Sequence, residues 1–372
     1  MISEKRVLKK KYWFTENELE TYQKFFGCSL SDINNRFLSS GSFTGLRPYL
    51  DDLAWHPVIH NKWFTANFYP QRGIKMAETY GFFHKTYGTT LCGEKLCSSE
   101  DLDALIRKKA LNKVAIKHVG GGAGKNVFIV DHIDTSDKNL TYRTVAGEVL
   151  KNNDIEGLLD RLAGGLKGYI VQEKLDLHPD IERVIGKGLS TVRFETLQHG
   201  QHVNKVQYAY IRLGTEGMAT DHSIRKGVYV PLDLETGVMK KGLDVSRPIN
   251  DQWISKHPFT GVIFEGKKVP NWIETKDAAL RAAAISPGLA RVGWDFVPSA
   301  NGPRLLEGNV GGSIVIDQLM FGGFFENGVF DDWMTYLNIP KPDGSLSWRY
   351  KHWNKGRRLK PFEQFVSSFL PG

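Results

Sequence analysis

The sequence predicts an α+β fold that is preceded by a mostly helical N-terminal region. Up to about residue 110, ENELETYQKFF (16–26) and EDLDALIRKKAL (100–111) carry apolar residues at helical spacing. From Lys113 onward, short β-branched runs alternate with glycine and Asn/Asp turns. These runs do not alternate regularly with helices, as they would in a parallel βαβ sheet, so an α+β arrangement is the better prediction.

The individual elements follow from the same patterns. HNKWFTANFYPQRGI (60–74) predicts a helix that ends near Pro70, and DIEGLLDRLAG (154–164) predicts a helix that Gly164 and Gly165 stop. The helix DAALRAAAI (277–285) interrupts a region rich in strands. The predicted strands are KVAIKHV (113–119), NVFIV (126–130), GYIVQEKL (168–175), STVRFETL (190–197), NKVQYAYIRLG (204–214), KGVYVPLDLETG (226–237) and 292–297.

The composition indicates a folded protein with more than one core. The chain has 372 residues, and this length favours two or three subdomains. Apolar residues make up 41% and charged residues 24%, which are ordinary values for a globular protein. The formal net charge of +8 favours anionic partners, namely nucleotides, nucleic acid, acidic glycans or an anionic membrane surface.

Cysteine usage and hydropathy predict a reduced, cytoplasmic protein. Cys28, Cys92 and Cys97 are too few for a disulfide framework, and their spacing does not suit a metal site. The basic N-terminus is not followed by the apolar stretch of a secretory signal. No apolar run approaches the roughly 20 residues that a membrane span needs.

The glycine-rich loop GGGAG (120–124), followed by Lys125, is a candidate phosphate cradle. Its glycines would let backbone N–H groups approach phosphate oxygens closely. Lys117, on the preceding strand, would then reach an α- or β-phosphate. The alternative is a flexible hairpin tip with Lys125 in solvent. The glycines in question are Gly120, Gly121, Gly122 and Gly124.

Three familiar nucleotide motifs do not fit this loop. The P-loop pattern fails because Val119 stands at its first glycine and Asn126 at its Ser/Thr position. The dinucleotide fingerprint requires a following helix, whereas a strand follows here. VAIK (114–117) matches the kinase lysine motif, but the glycine loop follows that lysine instead of preceding it, and the sequence has no HRD or DFG.

An acidic trio near the C-terminal end of the strand region is a candidate metal site. VGWDFVPSANGPRLLEGNV (292–310) predicts a hairpin that turns at Asn301–Gly302 and places Asp295 opposite Gly308. Asp295 would then lie between Glu307 and Asn309 on one sheet face. Two carboxylates and an amide oxygen suit Mg²⁺. The alternative is solvent-facing strand residues, but acidic groups among apolar strands need a partner.

Together these segments resemble the ATP-grasp superfamily, and more narrowly its sugar-transfer associated branch. The resemblance covers roughly residues 55 to 316, and VGWDF…LLEGN is its most specific block. It implies two α+β subdomains that clamp ATP. The domains are then an N-terminal helical domain (1–110), a first subdomain with flap and hinge (111–175), a second with the metal and substrate site (176–330), and a basic aromatic tail (331–372).

The resemblance also implies roles for individual residues. Lys62 in HNKWFTANFYPQRGI and Lys117 contact ATP, and the glycine loop with Lys125 forms a flap over the phosphates. YIVQEKLDLHPDI (169–181) resembles the adenine hinge, where Gln172, Glu173 and Leu175 would lie. STVRFETL and AYIRLG place Arg193 and Arg212 near phosphate or substrate as catalytic groups, together with Lys117. Asp295, Glu307 and Asn309 bind Mg²⁺, or Mn²⁺.

The sequence departs from the family pattern before residue 231. DHSIRKGVYVPLDLETG (221–237) stands where Asp-Asn and paired glycines are expected, and Asp221, His222 and Lys226 occupy that region. This affects the substrate side, not the nucleotide side. His178, His222 and His257 are isolated and are expected to be structural or exposed, although the His257–Pro258 pair matches a family block. The tail WRYKHWNKGRRLKPFEQF (348–365) suits an anionic glycan, nucleic acid or lipid, or simply a solvated helix.

Three functions are consistent with this sequence. The first is a carboxylate–amine, or other nucleophile, ligase that makes an acyl-phosphate from ATP and releases ADP and phosphate. Its substrates would be a small-molecule carboxylate and an amine or sugar, such as a sugar acid or amino acid in polysaccharide or cell-surface biosynthesis. The second is a small-molecule kinase on the same scaffold. The third is a non-catalytic nucleotide- or glycan-binding protein. A nucleic-acid partner is not expected.

Overall fold

The computed structural model describes residues 4–120, 126–137, 139–160, 168–186, 188–199, 203–214 and 227–336. The helices in this part of the chain are α1 (Glu4–Lys11), α2 (Glu16–Phe26), α3 (Leu30–Arg36), α4 (Ser40–Leu50), α5 (His56–His60), α6 (Lys62–Phe68), α7 (Ser99–Lys108), α8 (Asn152–Asp160), α9 (Pro179–Ile185), α10 (Trp272–Ala284), α11 (Ile314–Phe321) and α12 (Val329–Tyr336). None of these helices is long and apolar enough to cross a membrane.

The strands form two antiparallel sheets. They are β1 (Thr79–Phe83), β2 (Thr89–Thr90), β3 (Val114–His118), β4 (Val127–Asp134), β5 (Thr141–Thr144), β6 (Val149–Leu150), β7 (Tyr169–Gln172), β8 (Ser190–His199), β9 (Val203–Leu213), β10 (Val228–Pro231), β11 (Gly242–Leu243), β12 (Trp253–Ile254), β13 (Arg291–Ser299) and β14 (Gly302–Asn309). The first sheet has the order β2-β1-β7-β3-β4-β5-β6, and the second β12-β11-β10-β9-β8-β13-β14.

This architecture confirms the predicted α+β class with a helical N-terminal region. The helices expected at 16–26 and 100–111 form as α2 and α7, and capping boxes begin both, Thr15 with Glu18 and Ser98 with Asp101. α8 begins at Asn152, two residues before the predicted start, and its predicted stop at Gly164 and Gly165 lies outside the described residues. Strands β1 and β2, which precede residue 110, complete the first sheet, while the domain boundaries themselves stay predictions.

The first sheet is buried on one face by helices. Alternate residues of β3, such as Val114 and Ile116, pack with α7 and α8 in a compact core. Because strand side chains alternate between faces, Lys117 projects from the opposite face of β3. This opposite face carries Lys117 and Gln172 beside the buried apolar residues Ala115 and Ile170.

The second sheet is covered on both faces. One face packs Phe194 and Trp294 against α9 and α10. The other face packs Leu197 and Tyr208 against the N-terminal helices and against α11 and α12. The N-terminal region is thus part of the second sheet's core, and Trp333 of α12 is fully buried in it.

The hairpin of β13 and β14 differs in register from the prediction. The turn residues are Ala300 and Asn301, so that Ser299 pairs with Gly302, whose φ is +85°. An irregularity between Asp295 and Phe296 then shifts the pairing by one residue. As a result Asp295 lies opposite Glu307, and not opposite Gly308 as the predicted two-residue turn required.

A buried amide joins α11 to the N-terminal helices. Gln318 is fully buried; its Nε2 donates to the Tyr22 hydroxyl and the Leu38 carbonyl, both at 2.9 Å. Its Oε1 accepts from the backbone N–H groups of Leu38 (2.9 Å) and Phe324 (3.2 Å). One side chain therefore satisfies several buried backbone groups at this junction.

We expect the Gln318→Met variant to lower the free energy of unfolding by about 3 kcal/mol, because it leaves buried backbone groups without partners. Chemical denaturation of the full chain measures this change. Gln71→Met, at an exposed position, is the matched control and should change little. Equal stability of the Gln318→Met variant and the unaltered chain would contradict this role.

Candidate functional site

A row of charged side chains lies on the face of the second sheet that looks toward the N-terminal helices. Arg193 on β8 is directly opposite Asp295 on β13, and Asp295 is directly opposite Glu307 on β14. Directly opposed residues share a sheet face, and so does Asn309, which is two residues beyond Glu307. The predicted metal trio and the predicted arginines are therefore brought together.

Asp295 is the centre of this row. It is fully buried, and both of its carboxylate oxygens accept hydrogen bonds from guanidinium groups. Arg193 donates from Nε at 2.6 Å and from Nη2 at 2.8 Å, and Arg212 Nη2 lies 2.6 Å from Oδ1. Arg212 is positioned in turn by the Thr191 hydroxyl, 2.8 Å from Nη2. Burial of this carboxylate is tolerable because it is paired and hydrogen-bonded at both oxygens.

Asn309 links Asp295 to Glu307. Its amide Nδ2 donates to Asp295 Oδ2 at 3.0 Å and to Glu307 Oε1 at 3.3 Å. Because the amide nitrogen is bound to the carboxylates, the amide oxygen is oriented away from them. Glu307 is partly exposed and lies with its Oε2 3.6 Å from the Lys62 ammonium.

Lys62 and Lys117 approach Glu307 from the first sheet and its flanking helix. The Val119 carbonyl, just beyond β3, accepts the backbone N–H of Lys62 at 2.9 Å and thereby holds the start of α6 against that strand. Lys117 is buried, and its Nζ donates to Gln172 Oε1 at 3.3 Å. Gln172 is fixed by its own bond to the Thr79 hydroxyl at 3.0 Å.

Burial, together with the positive charge of Lys62, lowers the pKa of Lys117 to about 8, while the Glu307 carboxylate opposes the shift. A pair of neighbouring ammonium groups in a buried position favours an anion between them. A phosphate bound here would add negative charge beside the Glu307 carboxylate, close to both lysines.

Glu307 and Asn309 have the donor chemistry of a magnesium site. A partly exposed carboxylate and an outward-facing amide oxygen are hard ligands that leave positions for phosphate oxygens and water. Asp295 differs, since an ion bound there would share the carboxylate with Arg193 and Arg212. The residues thus fit a divalent cation, with Asp295 as a ligand or as the group that orients Asn309.

The structure describes only some of the other predicted site residues. Gly120 is exposed at the end of β3, while Gly121, Gly122, Gly124 and Lys125 lie outside the described residues. The Glu173 backbone N–H donates to the Glu78 carbonyl at 2.8 Å, and the Glu173 carboxylate accepts from the Glu78 N–H. Leu175 packs at the edge of the core on α9 and α10. The hinge role of Glu173 and Leu175 stays a prediction.

The isolated histidines are placed by local structure. His178 Nδ1 accepts the Asp180 backbone N–H and caps α9. His257 is buried and its Nε2 bonds the Gly214 carbonyl at 3.0 Å. His222 lies outside the described residues, as do Asp221, Lys226 and the tail segment 348–365.

Sequence reasoning missed a second buried charge cluster beside the first. Glu195 lies 3.3 Å from Arg193 Nη1 and 3.0 Å from Arg291 Nη2. Asp317 accepts the Tyr208 hydroxyl at 2.8 Å and lies 3.7 Å from Arg291. Burial, reinforced by Glu195, raises the pKa of Asp317 to about 7. The alternation Arg193–Glu195 within STVRFETL was the available signal.

Sequence reasoning also missed an open cavity next to these charges. It has a volume of about 790 Å³ and runs from Glu307 and Asn309 to α2, the second helix of the N-terminal region. Arg193, Arg212, Tyr210 and the glycines after β14 line it as well. No periodicity in residues 1–50 indicated that these helices form the wall of a site.

Two antiparallel sheets, with a lysine of the first sheet and a lysine of its flanking helix near a carboxylate of the second, are the arrangement of an ATP-grasp fold. The model of the sugar-transfer associated ATP-grasp family matches residues 45–326, so the chain belongs to that family. The fold and family predicted from the sequence are confirmed. A comparison with curated proteins found no match.

The structure is similar at low identity to several solved ligases and carboxylases. A biotin carboxylase from Campylobacter jejuni has 10% identity and a TM-score of 0.45, over 80% of this chain and 50% of that one. An L-amino acid ligase from Bacillus licheniformis has 13% identity and a TM-score of 0.37, over 83% and 50%. An N5-carboxyaminoimidazole synthase from Aspergillus clavatus has 12% identity and a TM-score of 0.39, over 83% and 60%. The chain thus spans about half to three fifths of their lengths.

The buried Lys117 predicts a specific dependence of stability on pH. Its pKa in the folded chain, about 8, lies below the ordinary lysine value of 10.5, so between these two pH values the unfolded chain binds more protons. Stability of the unaltered chain should therefore gain a contribution as pH rises from 8 to 10.5. This contribution amounts to about 3 kcal/mol at most.

The Lys117→Met variant lacks this contribution. The free energy of unfolding of the variant minus that of the unaltered chain should therefore be highest at pH 7 and should be lower at pH 10. Urea unfolding of both proteins at each pH gives the difference. Lys276→Met, at a surface lysine that bonds the Leu234 carbonyl, is the control, and its difference should vary much less with pH. A pH-independent difference for the Lys117→Met variant would contradict the assigned cause.

Proposed function

We propose that this chain is an ATP-dependent ligase that converts a carboxylate into an acyl-phosphate and transfers the acyl group to an amine or other nucleophile. Membership of the ATP-grasp family supports the use of ATP. The observation that carries the proposal is the convergence of Lys62 and Lys117 on Glu307, at the rim of a cavity that Arg193 and Arg212 line. Cations on both sides of one point suit phosphoryl transfer to an anionic acceptor.

The nucleotide would lie along the face of the first sheet that carries Lys117 and Gln172. Lys62 and Lys117 neutralise its phosphates, and Gln172 contacts the nucleotide beside them. Glu173 and Leu175 follow as the adenine hinge, and Gly120, Gly121, Gly122, Gly124 and Lys125 cover the phosphates. Exclusion of water by such a cover protects an acyl-phosphate from hydrolysis.

Glu307 and Asn309, with Asp295, would hold the divalent cation. Mg²⁺, for which Mn²⁺ can substitute, supplies charge neutralisation of the phosphate oxygens when it is bound. Arg193 and Arg212 act as catalytic residues because their positive charges stabilise the oxyanion in the cavity. Asp295 keeps both guanidinium groups in place.

The reaction then has two steps. A carboxylate oxygen attacks the γ-phosphorus, the bond from that phosphorus to the β,γ-bridging oxygen breaks, and ADP leaves. The nucleophile attacks the acyl carbon, the bond from this carbon to the phosphorylated oxygen breaks, and phosphate leaves. An amine loses its proton to a base or to water, so the products are an amide, ADP and phosphate.

The proposed substrate is a sugar acid or amino acid, in polysaccharide or cell-surface biosynthesis, and the description of the family as sugar-transfer associated supports the sugar part. A cytoplasmic location and a possible anionic glycan partner belong to the same proposal. The division at 110, 175 and 330 into an N-terminal domain, two clamping subdomains and a tail is proposed with it. The cavity supports the substrate part, since a volume of about 790 Å³ accommodates a sugar-sized acid.

The direct test is nucleotide release with Mg²⁺ across sugar acids that are paired with amino acids. The proposal requires ADP and phosphate whose release depends on both co-substrates, and a condensed product by mass spectrometry. A stable phosphorylated acceptor without condensation would instead indicate a kinase. AMP as the released nucleotide would exclude the acyl-phosphate route.

We expect Glu307→Gln and Asn309→Ala each to lower turnover at least about 100-fold, because both remove support from charge that develops on the phosphoryl oxygens. Both residues are partly exposed, so unfolding free energies should change by less than about 1 kcal/mol. Glu274→Gln, which removes an exposed carboxylate that pairs with Lys75, is the control and should retain full turnover. Function that survives loss of Glu307 and Asn309 would indicate a non-catalytic binding protein.

A further inference from the structure

The cavity beside the metal trio has walls from two parts of the chain. One wall is the second sheet, with Arg193, Arg212 and Glu307. The opposite wall is the N-terminal helices, with Asn17, Glu20, Thr21, Lys24 and Phe25 of α2 and Arg47 of α4. The predicted nucleotide residues do not contribute to the α2 and α4 wall, so this wall is where a second substrate would be recognised.

Most of the buried cations that border this cavity already have counter-charges. Arg193 and Arg212 are paired with Asp295 at 2.6 Å. Arg291, behind the cavity wall, is paired with Glu195 at 3.0 Å. Lys24, on the exposed part of α2, lies 3.6 Å from Glu20.

Arg47 differs from these cations. Within the described residues, its side chain makes no hydrogen bond or ion pair, and its Nε is buried without a partner. Asp51, four residues further along the chain, acts on it through space without forming an ion pair. Burial lowers the pKa of Arg47, and the charge of Arg291 lowers it further. A cavity-lining guanidinium with an unpartnered donor can bind an anionic group.

Arg47 lies close to the reacting end of the cavity. A Cβ atom on Gly311 would be 2.6 Å from Arg47 Nη1, and Gly311 is two residues beyond Asn309. A Cβ atom on the adjacent Gly312 would be 3.5 Å from Arg193 Nη1, so the two arginines border neighbouring glycines. The positive charges of Arg47 and Lys62 both act on His60, which also lies on the cavity wall. Positive charge therefore extends from the predicted phosphate site to Arg47.

We propose that Arg47 binds the carboxylate of the acid substrate and orients it toward the γ-phosphate. This inference rests on the proposed ligase function. A planar guanidinium matches a carboxylate in a bidentate manner. Glu20, Glu195 and Asp317 also line the cavity, and they disfavour a doubly charged phosphate relative to a singly charged carboxylate.

The remaining lining residues indicate the kind of acid. Tyr210, Tyr229 and Phe25 offer ring faces, while Asn17, Thr21 and Gln252 offer hydrogen-bonding groups. Flat apolar surfaces with a few polar groups suit a ring that carries hydroxyls. A uronic acid combines such a ring with one carboxylate, and we name this class as the ligand.

Isothermal titration of the full chain in the presence of Mg²⁺ and ADP tests the assignment, with D-glucuronate as the probe. Inorganic phosphate and D-glucose are the comparison ligands. We expect glucuronate to bind, and phosphate and glucose to bind at least about 10-fold more weakly, since each lacks either the ring or the charge. Failure of glucuronate to bind, or equal affinity for phosphate or for glucose, would overturn the proposal.

Two variants separate recognition from folding. Arg47→Gln should weaken glucuronate binding at least about 10-fold and leave ADP affinity unchanged. Gly311→Ala retains Arg47 but pushes on the tip of its flexible side chain, and should weaken glucuronate in the same way even if Arg47→Gln does not fold. Arg281→Gln, which removes an exposed charge from α10, is the control and should bind glucuronate normally.

Glucuronate binding that neither the Arg47→Gln nor the Gly311→Ala variant weakens would overturn the role of Arg47. The outcome is distinct from failure of the proposed function. Binding that depends on Arg47, without ADP release or a condensed product under turnover conditions, would sustain this inference and contradict the ligase. Turnover of a carboxylate substrate that the Arg47→Gln variant leaves unchanged would contradict the role of Arg47 and sustain the ligase.

Discussion

The buried carboxylate of Asp295 is the constraint on which the second sheet depends. A fully buried charge is stable only when it is paired and hydrogen-bonded, and here Arg193 and Arg212 supply both requirements. Asp295 lies directly opposite Arg193 on β8, while Arg212 reaches it from β9. A slip of one residue in either pairing would turn the arginines to the opposite face and leave the carboxylate unpaired. The ion pairs therefore specify the register of the three central strands.

The same arrangement determines what remains available for chemistry. Asp295 pairs with Arg193 and Arg212 and accepts a hydrogen bond from the Asn309 amide nitrogen. The Asn309 oxygen and the Glu307 carboxylate therefore remain at the rim of the cavity. Lys62 reaches Glu307 from α6, and this position depends on the backbone bond from Lys62 to Val119 at the end of β3. The two sheets are thus joined at a point where opposite charges meet. The N-terminal helices close the other side and contribute Arg47.

The sequence was sufficient for the fold and the family, while the residues that it assigns to the nucleotide stay predictions. Apolar strand patterns marked β3, β7, β8 and β13, and the order of the segments that resemble the family was enough to name it. The turn of the β13–β14 hairpin was placed one residue too late, because Asn301–Gly302 is a strong local signal and a bulge has none. Arg47, Asp317 and the α2 wall were missed, because their roles depend on tertiary contacts between segments far apart in the chain.

In the proposed mechanism, a carboxylate oxygen placed in this cavity attacks the γ-phosphate before any acyl transfer. Isotope transfer during turnover tests this most directly. The acid substrate is labelled with ¹⁸O in its carboxylate, and the released phosphate is analysed by mass spectrometry. An acyl-phosphate intermediate predicts one ¹⁸O atom in each phosphate, because the labelled oxygen leaves the acyl carbon with phosphorus. Unlabelled phosphate in a reaction that still makes the condensed product would contradict the account.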